Sequence, residues 1–434
     1  MEWADRKINE AGRLVLGGCD TAELVKEFGT PLYVMEEDKI RSVCRAFKQA
    51  IDANLVGRAY FASKAFLNTA MCKIIQQEGL GMDVVSGAEL YTALKAGFPP
   101  VHIHLHGNVK TDDELRMAIR NGVGSIVIDN GDEVDRIGAI ARSLGRKAYV
   151  MLRMRPNVDA HTHKYIMTGN MDSKFGVGKD EVTPIIRNIL AHDCLVFEGL
   201  HCHIGSQIFE LEPFEKAVDT MVGQVAQVMA ETGCDVNELN FGGGYGIHYT
   251  NEDKPLSPGA YVAAMAKQLK ASCEKAKIPV PRFGIEPGRS IVGEAGTTLY
   301  TVGSVKDIPG VRKYVAIDGG MPDNPRPALY QAKYFAMVAN RALEPADDLV
   351  SIAGRCCESG DMIAWDIMLA KAEYGDIIAV FSTGAYNFSM ASNYNKLPIP
   401  AIVLVKDGKA ELMKTRQSFE DLLRNDCIPS WLED

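Results

Sequence analysis

The sequence predicts an α/β protein: a (β/α)8 barrel of the TIM type, followed by a mostly β domain that the N-terminal segment joins. Three observations carry this expectation. From about residue 58 to 290, short apolar runs alternate with amphipathic stretches, the signature of strand–helix repeats in a parallel sheet. Beyond about residue 295, long helical patterns become scarce and strand-like runs broken by Gly, Pro and Asp replace them. The chain has 434 residues, 47% of them hydrophobic, which accommodates a barrel of about 250 residues and a second core.

The elements follow in order. "GTPLYVM" near the N-terminus is strand-like and suits the β domain. "RAYFASK", "VHIHL", "SIVID", "KAYVMLRM", "VFEGLHCHI", "ELNFGGG" and "RFGIEPG" read as barrel strands. Between them, "TAMCKIIQQEG", "SGAELYTALKAG", "TDDELRMAIRNG" and "FEKAVDTMVGQVAQVMAETG" place apolar residues at helical spacing and close on Gly, which favours a left-handed C-cap. Seven or so units suit a closed barrel better than a doubly wound open sheet. Later runs such as "TTLYTVGSVKDI", "KYVAIDGG", "GDIIAVFSTGAY" and "IPAIVLVKDGKAELM" form the β domain. The expected division is a barrel over 38–290 and a β domain from 1–37 plus 291–434.

Composition narrows the function. Net charge is -9, and no stretch gathers basic residues into a stripe, which argues against a nucleic-acid partner. No run reaches the roughly 18 apolar residues of a membrane span, and the opening "MEWADRKINEAGRL" lacks a signal-like apolar segment. A soluble, cytoplasmic protein is expected. None of the ten cysteines falls in C-x-x-C spacing, so reduced thiols are expected, and the "NFS" sequon at Asn387 carries no weight without secretion.

Catalytic groups of a parallel barrel come from the C-terminal ends of its strands. At those ends lie Lys64, Asp83, His106, His203, Gly205, Ser206, Gly242, Gly243, Gly244, Glu286 and Arg289. Lys64 reads either as a Schiff-base lysine or as a snorkelling or ion-paired side chain. "FGGGYG" offers backbone N–H groups after a strand, suited to one phosphate or simply to a tight turn. It fails the dinucleotide fingerprint, because Ile247 stands where the third Gly belongs. Glu286 could be an ordinary strand-end carboxylate or could face a ring nitrogen. Lysine, phosphate loop and carboxylate together are what pyridoxal phosphate requires. "GLHCHIGSQ" also raises a zinc reading through His201, Cys202 and His203. Strand alternation turns Cys202 away from both histidines, so no metal site is expected.

With these motifs in order, the sequence resembles the diaminopimelate decarboxylases, pyridoxal-phosphate enzymes of alanine-racemase-like fold. The resemblance runs over nearly the whole chain, through "GTPLYV", "YFASKAF", "NVDAHTHKYIMTG", "KFG", "GLHCHIGSQ", "FGGGYG", "EPGRS", "RPALY", "CESGD" and "GAY". It implies a barrel followed by a β domain, and a homodimer with active sites at the subunit interface. It implies that Lys64 is the Schiff-base lysine and that His203 stacks on the cofactor. Asp83, Ser206, Gly242, Gly243, Gly244, Glu286, Pro287, Gly288, Arg289 and Tyr386 then complete the cofactor set, with Glu286 at the pyridine nitrogen. Arg289, Arg326, Tyr330, Glu358 and Tyr386 bind substrate. Cys357 returns the proton; it and Glu358, which contacts the distal amine, come from the partner subunit. "YFASKAF" departs from the commoner form, which has Val before the lysine and Asn after the alanine, and "MPDNPRPALYQAKY" is unusual around Pro322 and Pro325.

The implied reaction is decarboxylation of meso-2,6-diaminopimelate to L-lysine and CO2, the last step of lysine biosynthesis. A related pyridoxal-phosphate decarboxylase acting on ornithine, lysine or a D-amino acid is the alternative. Arg289 and Arg326 count against it, because only a diamino-dicarboxylate keeps a carboxylate to anchor after the reaction. A racemase of the same fold benefits from a cation at the ring nitrogen, which Glu286 contradicts. A cofactor carrier without turnover has no need of "RPALY", "CESGD" and "GAY".

Overall fold

The computed structural model describes residues 6–158 and 173–433. The chain divides into two compact units: Ile40–Ile247 with Lys254–Ile291, and Met1–Lys39 with His248–Asp253 and Val292–Asp434.

In the first unit eight parallel strands close into a barrel in sequence order: Gly57–Ala62, Gly81–Val84, Ile103–Leu105, Ser125–Ile128, Ala148–Arg153, Leu195–His201, Glu238–Asn240 and Arg282–Ile285. The last pairs with the first through Phe283–Gly57 and Ile285–Ala59. Gly81–Val84 is the strand that the seven longer runs do not include. Its four residues are too short to declare a period, and its register is set by Tyr60–Gly81 and Ala62–Asp83 pairing.

The helices between strands begin where side chains can cap them. Asn68, Ser86, Thr111 and Ser257 accept hydrogen bonds from the N–H groups of Met71, Glu89, Glu114 and Ala260. Thr111 and Glu114 form a reciprocal capping box. Gly122 and Gly233 end their helices in the left-handed conformation, as their sequences predict. Glu212–Thr232 buries Phe214, Val218, Met221, Val225 and Val228, a stripe at three- and four-residue spacing.

The second unit is built on a nine-stranded sheet. Gly296–Ile308 is its long central strand, flanked by Arg312–Ile317, Ile377–Phe381 and the N-terminal Leu32–Glu36. Leu32–Glu36 also pairs in parallel with Ala401–Lys406. Leu32, Val34, Leu299, Ala379, Phe381 and Val403 share one buried cluster. The alternation of "LYV" therefore sends Leu32 and Val34 to one face of this sheet.

Candidate active site

The barrel strands deliver a buried polar cluster rather than the branched apolar layers usual in such barrels. Glu286, just past the strand Arg282–Ile285, is its centre. His106 Nε2 lies 3.0 Å from Glu286 Oε1, His201 Nε2 lies 3.1 Å from Oε2, and Asn240 donates to Oε1 at 2.9 Å. The donors come from three other strands, so only barrel closure brings them together. Burial works against the Glu286 anion, but His106 and His201 outweigh it and hold the carboxyl well below the usual range. Burial also opposes charge on His106, yet Asp83, 3.5 Å away, and Glu286 keep that ring above its ordinary pKa. His201 is different: burial drops it to about 4, and Glu286 offsets this only in part. It is neutral, with its Nε2–H donated to Glu286. Asp83 is pushed up to about 7 by burial despite His106.

The loop after Glu238–Asn240 closes over this cluster. Gly242 N–H donates to Asn240 Oδ1 and Gly243 N–H donates to His203 Nδ1. Two of the three loop glycines are thus committed within the protein, where the sequence suggested an unhindered row of donors. Gly242 has φ +67°, and a Cβ on Gly243 would stand 2.2 Å from the carbonyl oxygen of Glu286. Only glycine fits there. The Gly243 bond fixes His203 as the Nε2–H tautomer, and burial, Lys64 and Arg153 all hold its pKa well below the ordinary value. Beside the loop, Arg289 Nη2 donates to Ser206 Oγ at 2.9 Å. Pro287 and Gly288 are buried next to Arg289, and Ala62 N–H donates to Pro287 O.

Lys64 lies in the turn Ser63–Ala65 after the first barrel strand and is exposed. The strand-end position raised the cost of burying its amine; the chain avoids that cost by placing it at the open mouth.

Arg326, Tyr330, Cys357, Glu358 and Tyr386 all lie in the β unit. Arg326 opens the short helix Arg326–Tyr330, donates to Tyr334 Oη at 2.6 Å and sits 4.7 Å from the Tyr249 ring centroid. Tyr334 in turn donates to Asn387, next to Tyr386. Tyr386 has φ +62°, uncommon for a bulky residue and typical of functional turns. Cys357 and Glu358 are exposed in a turn where Cys357 N–H donates to Asn395 Oδ1.

The zinc reading finds no support in this geometry. Burial pushes the Cys202 thiol up to about 12, so it is a poor thiolate source. His104, His106 and Glu286 also bring potential ligand atoms within 4.8 Å of one another. The "NVDAHTHKYIMTG" motif lies, from residue 159 onward, outside the described residues.

The barrel matches the family model for the pyridoxal binding domain of pyridoxal-dependent decarboxylases over residues 37–293. The diaminopimelate decarboxylase of Bacillus subtilis is 48% identical over 421 residues, covering 96% of each chain. The crystal structure of the M. jannaschii diaminopimelate decarboxylase in complex with L-lysine superposes with TM-score 0.91 at 35% identity, covering 98% of each chain. The chain belongs to the diaminopimelate decarboxylases. The Vibrio vulnificus lysine/ornithine decarboxylase shares the fold, with TM-score 0.76 at 22% identity over 89% of this chain and 97% of that one.

Membership makes the chain a pyridoxal-phosphate-dependent carboxy-lyase, and the residues present fit that cofactor. Glu286 Oε1 accepts from Asn240 and lies 3.0 Å from His106 Nε2, while Oε2 has His201 alone, so an acceptor site on Oε2 remains for a pyridinium N–H. The glycine loop leaves no room for a Cβ, and a guanidinium and a hydroxyl stand beside it. Sequence reasoning gave no role to His106, Asn240, Arg153 or Tyr334 and left that of His201 open. His106 and His201 were visible as inward positions of strands, but their shared partner was not.

Proposed function

We propose that this protein decarboxylates meso-2,6-diaminopimelate to L-lysine and CO2, using Lys64, His203 and Glu286 of the barrel and Arg326, Tyr330, Cys357, Glu358 and Tyr386 of the β unit. The observation that carries the reading is the Glu286 cluster. Hydrogen bonds from Asn240 and His201 and the His106 ring 3.0 Å away hold a buried carboxylate ionised, which a decarboxylase needs and a racemase avoids.

Bound here, pyridoxal phosphate supplies an electron sink for the pair released when the bond to the departing carboxylate breaks. Lys64 Nζ is the covalent anchor. Glu286 stays anionic because of the nearby His106 and His201 rings, and would keep a proton on the ring nitrogen of a bound cofactor. The neutral His203 ring covers one cofactor face without bringing a second cation close. Ser206, Arg289 and the backbone of Gly244 would hold the phosphate, while Gly242 and Gly243, bonded to Asn240 and His203, shape the loop beside it and Pro287 and Gly288 fix the turn that carries Arg289. Asp83 supports the cluster through His106.

Substrate selection follows from charge. Arg326, with Tyr330 and Tyr386, would anchor the carboxylate that the product keeps, and Arg289 is the barrel's own candidate for a substrate carboxylate. Glu358 pairs with the distal ammonium. Cys357 Sγ returns a proton to the carbon that lost CO2. Its exposure, and that of Glu358, suits residues offered to a second copy of the chain. The protein is then a homodimer in which each active site is completed by its partner.

Lys64→Ala tests the anchor. The visible absorbance of the bound cofactor and the release of CO2 should both disappear, while thermal unfolding stays near that of the wild type. Full activity in this variant would rule the reading out.

A further inference from the structure

The barrel has a second opening, at the end where its strands begin. A cavity of about 630 Å³ there is lined by Arg58, Tyr60, His104, Ser125, Glu238 and Arg282, among others. All belong to the barrel unit, and the mouth carrying Lys64 lies at the other end of the strands. Alternation explains the lining: Arg58 and Tyr60, and likewise Glu238 and Asn240, point to the same inward face two residues apart.

This end of the barrel is polar and incompletely satisfied. His104, Ser125 and Glu238 are 4%, 2% and 7% exposed. Among the described residues, His104 Nδ1 and Ser125 Oγ have no hydrogen-bond partner, and Glu238, beside the Tyr60 hydroxyl, has an Oε1 that is incompletely satisfied. A buried polar group left without a partner is destabilising. Two such groups beside an incompletely satisfied carboxyl, all around one cavity, point to a ligand that bonds to them. Burial drops His104 to about 3, so its ring is neutral there.

The charges specify the ligand further. Arg282 bridges Glu198 at 2.9 Å and Glu238 at 3.5 Å. Arg58 has no ion pair among the described residues, although it lines the same cavity. Arg58 and Arg282 stand with Glu198 and with Glu238, whose carboxyl burial pushes up to about 7 and which an ammonium alongside would ionise, so a cation at that carboxyl and an anion at Arg58 together suit a zwitterion. Val56, Val101 and Tyr149 line the cavity too and are 78%, 63% and 45% exposed. They offer apolar surface to a side chain, unlike the charged ends of a diamino-dicarboxylate.

We propose that this cavity binds a free α-amino acid with an apolar side chain. Its ammonium group lies inward against Glu238, Ser125 and His104, and its carboxylate outward against Arg58. The site is separate from the cofactor mouth and does not depend on the reaction assigned to it.

The test is calorimetric titration of the cofactor-loaded protein with L-leucine and L-phenylalanine. At least one should bind saturably, one molecule per chain, with the visible cofactor band unchanged. N-acetyl-L-leucine, which lacks the charge on nitrogen, and 3-methylbutylamine, which lacks the carboxylate, should each bind at least about tenfold more weakly than L-leucine, a loss of about 1.4 kcal/mol. Arg58→Gln and Ser125→Val should weaken amino-acid binding to the same extent, with retained turnover certifying that each variant is folded. No saturable binding of either amino acid overturns the proposal. So does a shift of the cofactor band on binding, or unchanged affinity in whichever of the two variants folds.

Discussion

His104 shows how residue-level chemistry shapes this barrel. Its ring stacks on Tyr60 at 3.9 Å between centroids, and burial holds its pKa at about 3. In the unfolded chain the ring titrates near 6.5. As pH falls below that value, the unfolded chain takes up a proton that the folded chain refuses. Stability is therefore lost as pH drops from about 6.5 toward 3. At pH 5 this one ring costs about 2 kcal/mol relative to pH 7. His104→Gln should shrink the pH 7 to pH 5 difference in unfolding free energy by about that amount, measured by urea denaturation at both pH values. An unchanged difference would show that His104 is not held neutral. The residues of the site were partly legible at this scale. Lys64 and Glu286 stand at the ends of apolar runs, and that position alone marked them. Their supporting partners did not show, because His106, His201 and Asn240 reach Glu286 from strands far apart in sequence. The exposure of Lys64 could not be read either, since the first barrel strand continues into a tight turn only in three dimensions.

At the scale of elements, the glycine loop after Glu238–Asn240 ties the last two barrel strands to the candidate cofactor site. Glu286 N–H donates to Gly242 O, so loop and carboxylate are one hydrogen-bonded unit. Gly243→Ala would force its new Cβ against Glu286 O, now 2.2 Å from that position. The loop must shift, and cofactor affinity should fall at least tenfold, read by fluorescence titration of the cofactor-free protein with pyridoxal phosphate. Wild-type affinity in this variant would mean that the loop does not shape the site. "FGGGYG" announced a special backbone in the sequence, but not that two of its N–H groups are spent on Asn240 and His203. Helix ends were easier to read: the Thr111–Glu114 box and the closing Gly122 are local chemistry, settled within four residues. Strand Gly81–Val84 was hard to read for the opposite reason. Four residues give no period, and its pairing partners are supplied by the barrel.

For the whole molecule, the sequence announced a change of texture near residue 295, and the β unit does take over at Val292. The inclusion of Leu32–Glu36 in that unit's sheet depends on pairing with Gly296–Ile308 and Ala401–Lys406, more than 250 residues away. Strand propensity could suggest such a union but not its register. The exposed Cys357–Glu358 turn belongs to this scale as well, because our reading makes each active site a product of two chains. Mixing Lys64→Ala and Cys357→Ala chains, each inactive or nearly so alone, should restore about a quarter of wild-type turnover. Random pairing makes half the dimers mixed, and each mixed dimer carries one intact site of two. Homodimers that fail to complement after subunit exchange would place Cys357 in its own chain's site.

The account rests on the substrate, and one measurement addresses it directly. Purified, cofactor-loaded protein is offered meso-diaminopimelate, ornithine, lysine and arginine separately, and both CO2 and the amine product are quantified. The account predicts CO2 and L-lysine in equal amounts from meso-diaminopimelate, with turnover of the other three lower by at least about a hundredfold, since none of them carries the second carboxylate that a buried arginine of the site is proposed to hold. Faster CO2 release from ornithine, lysine or arginine than from diaminopimelate would contradict it.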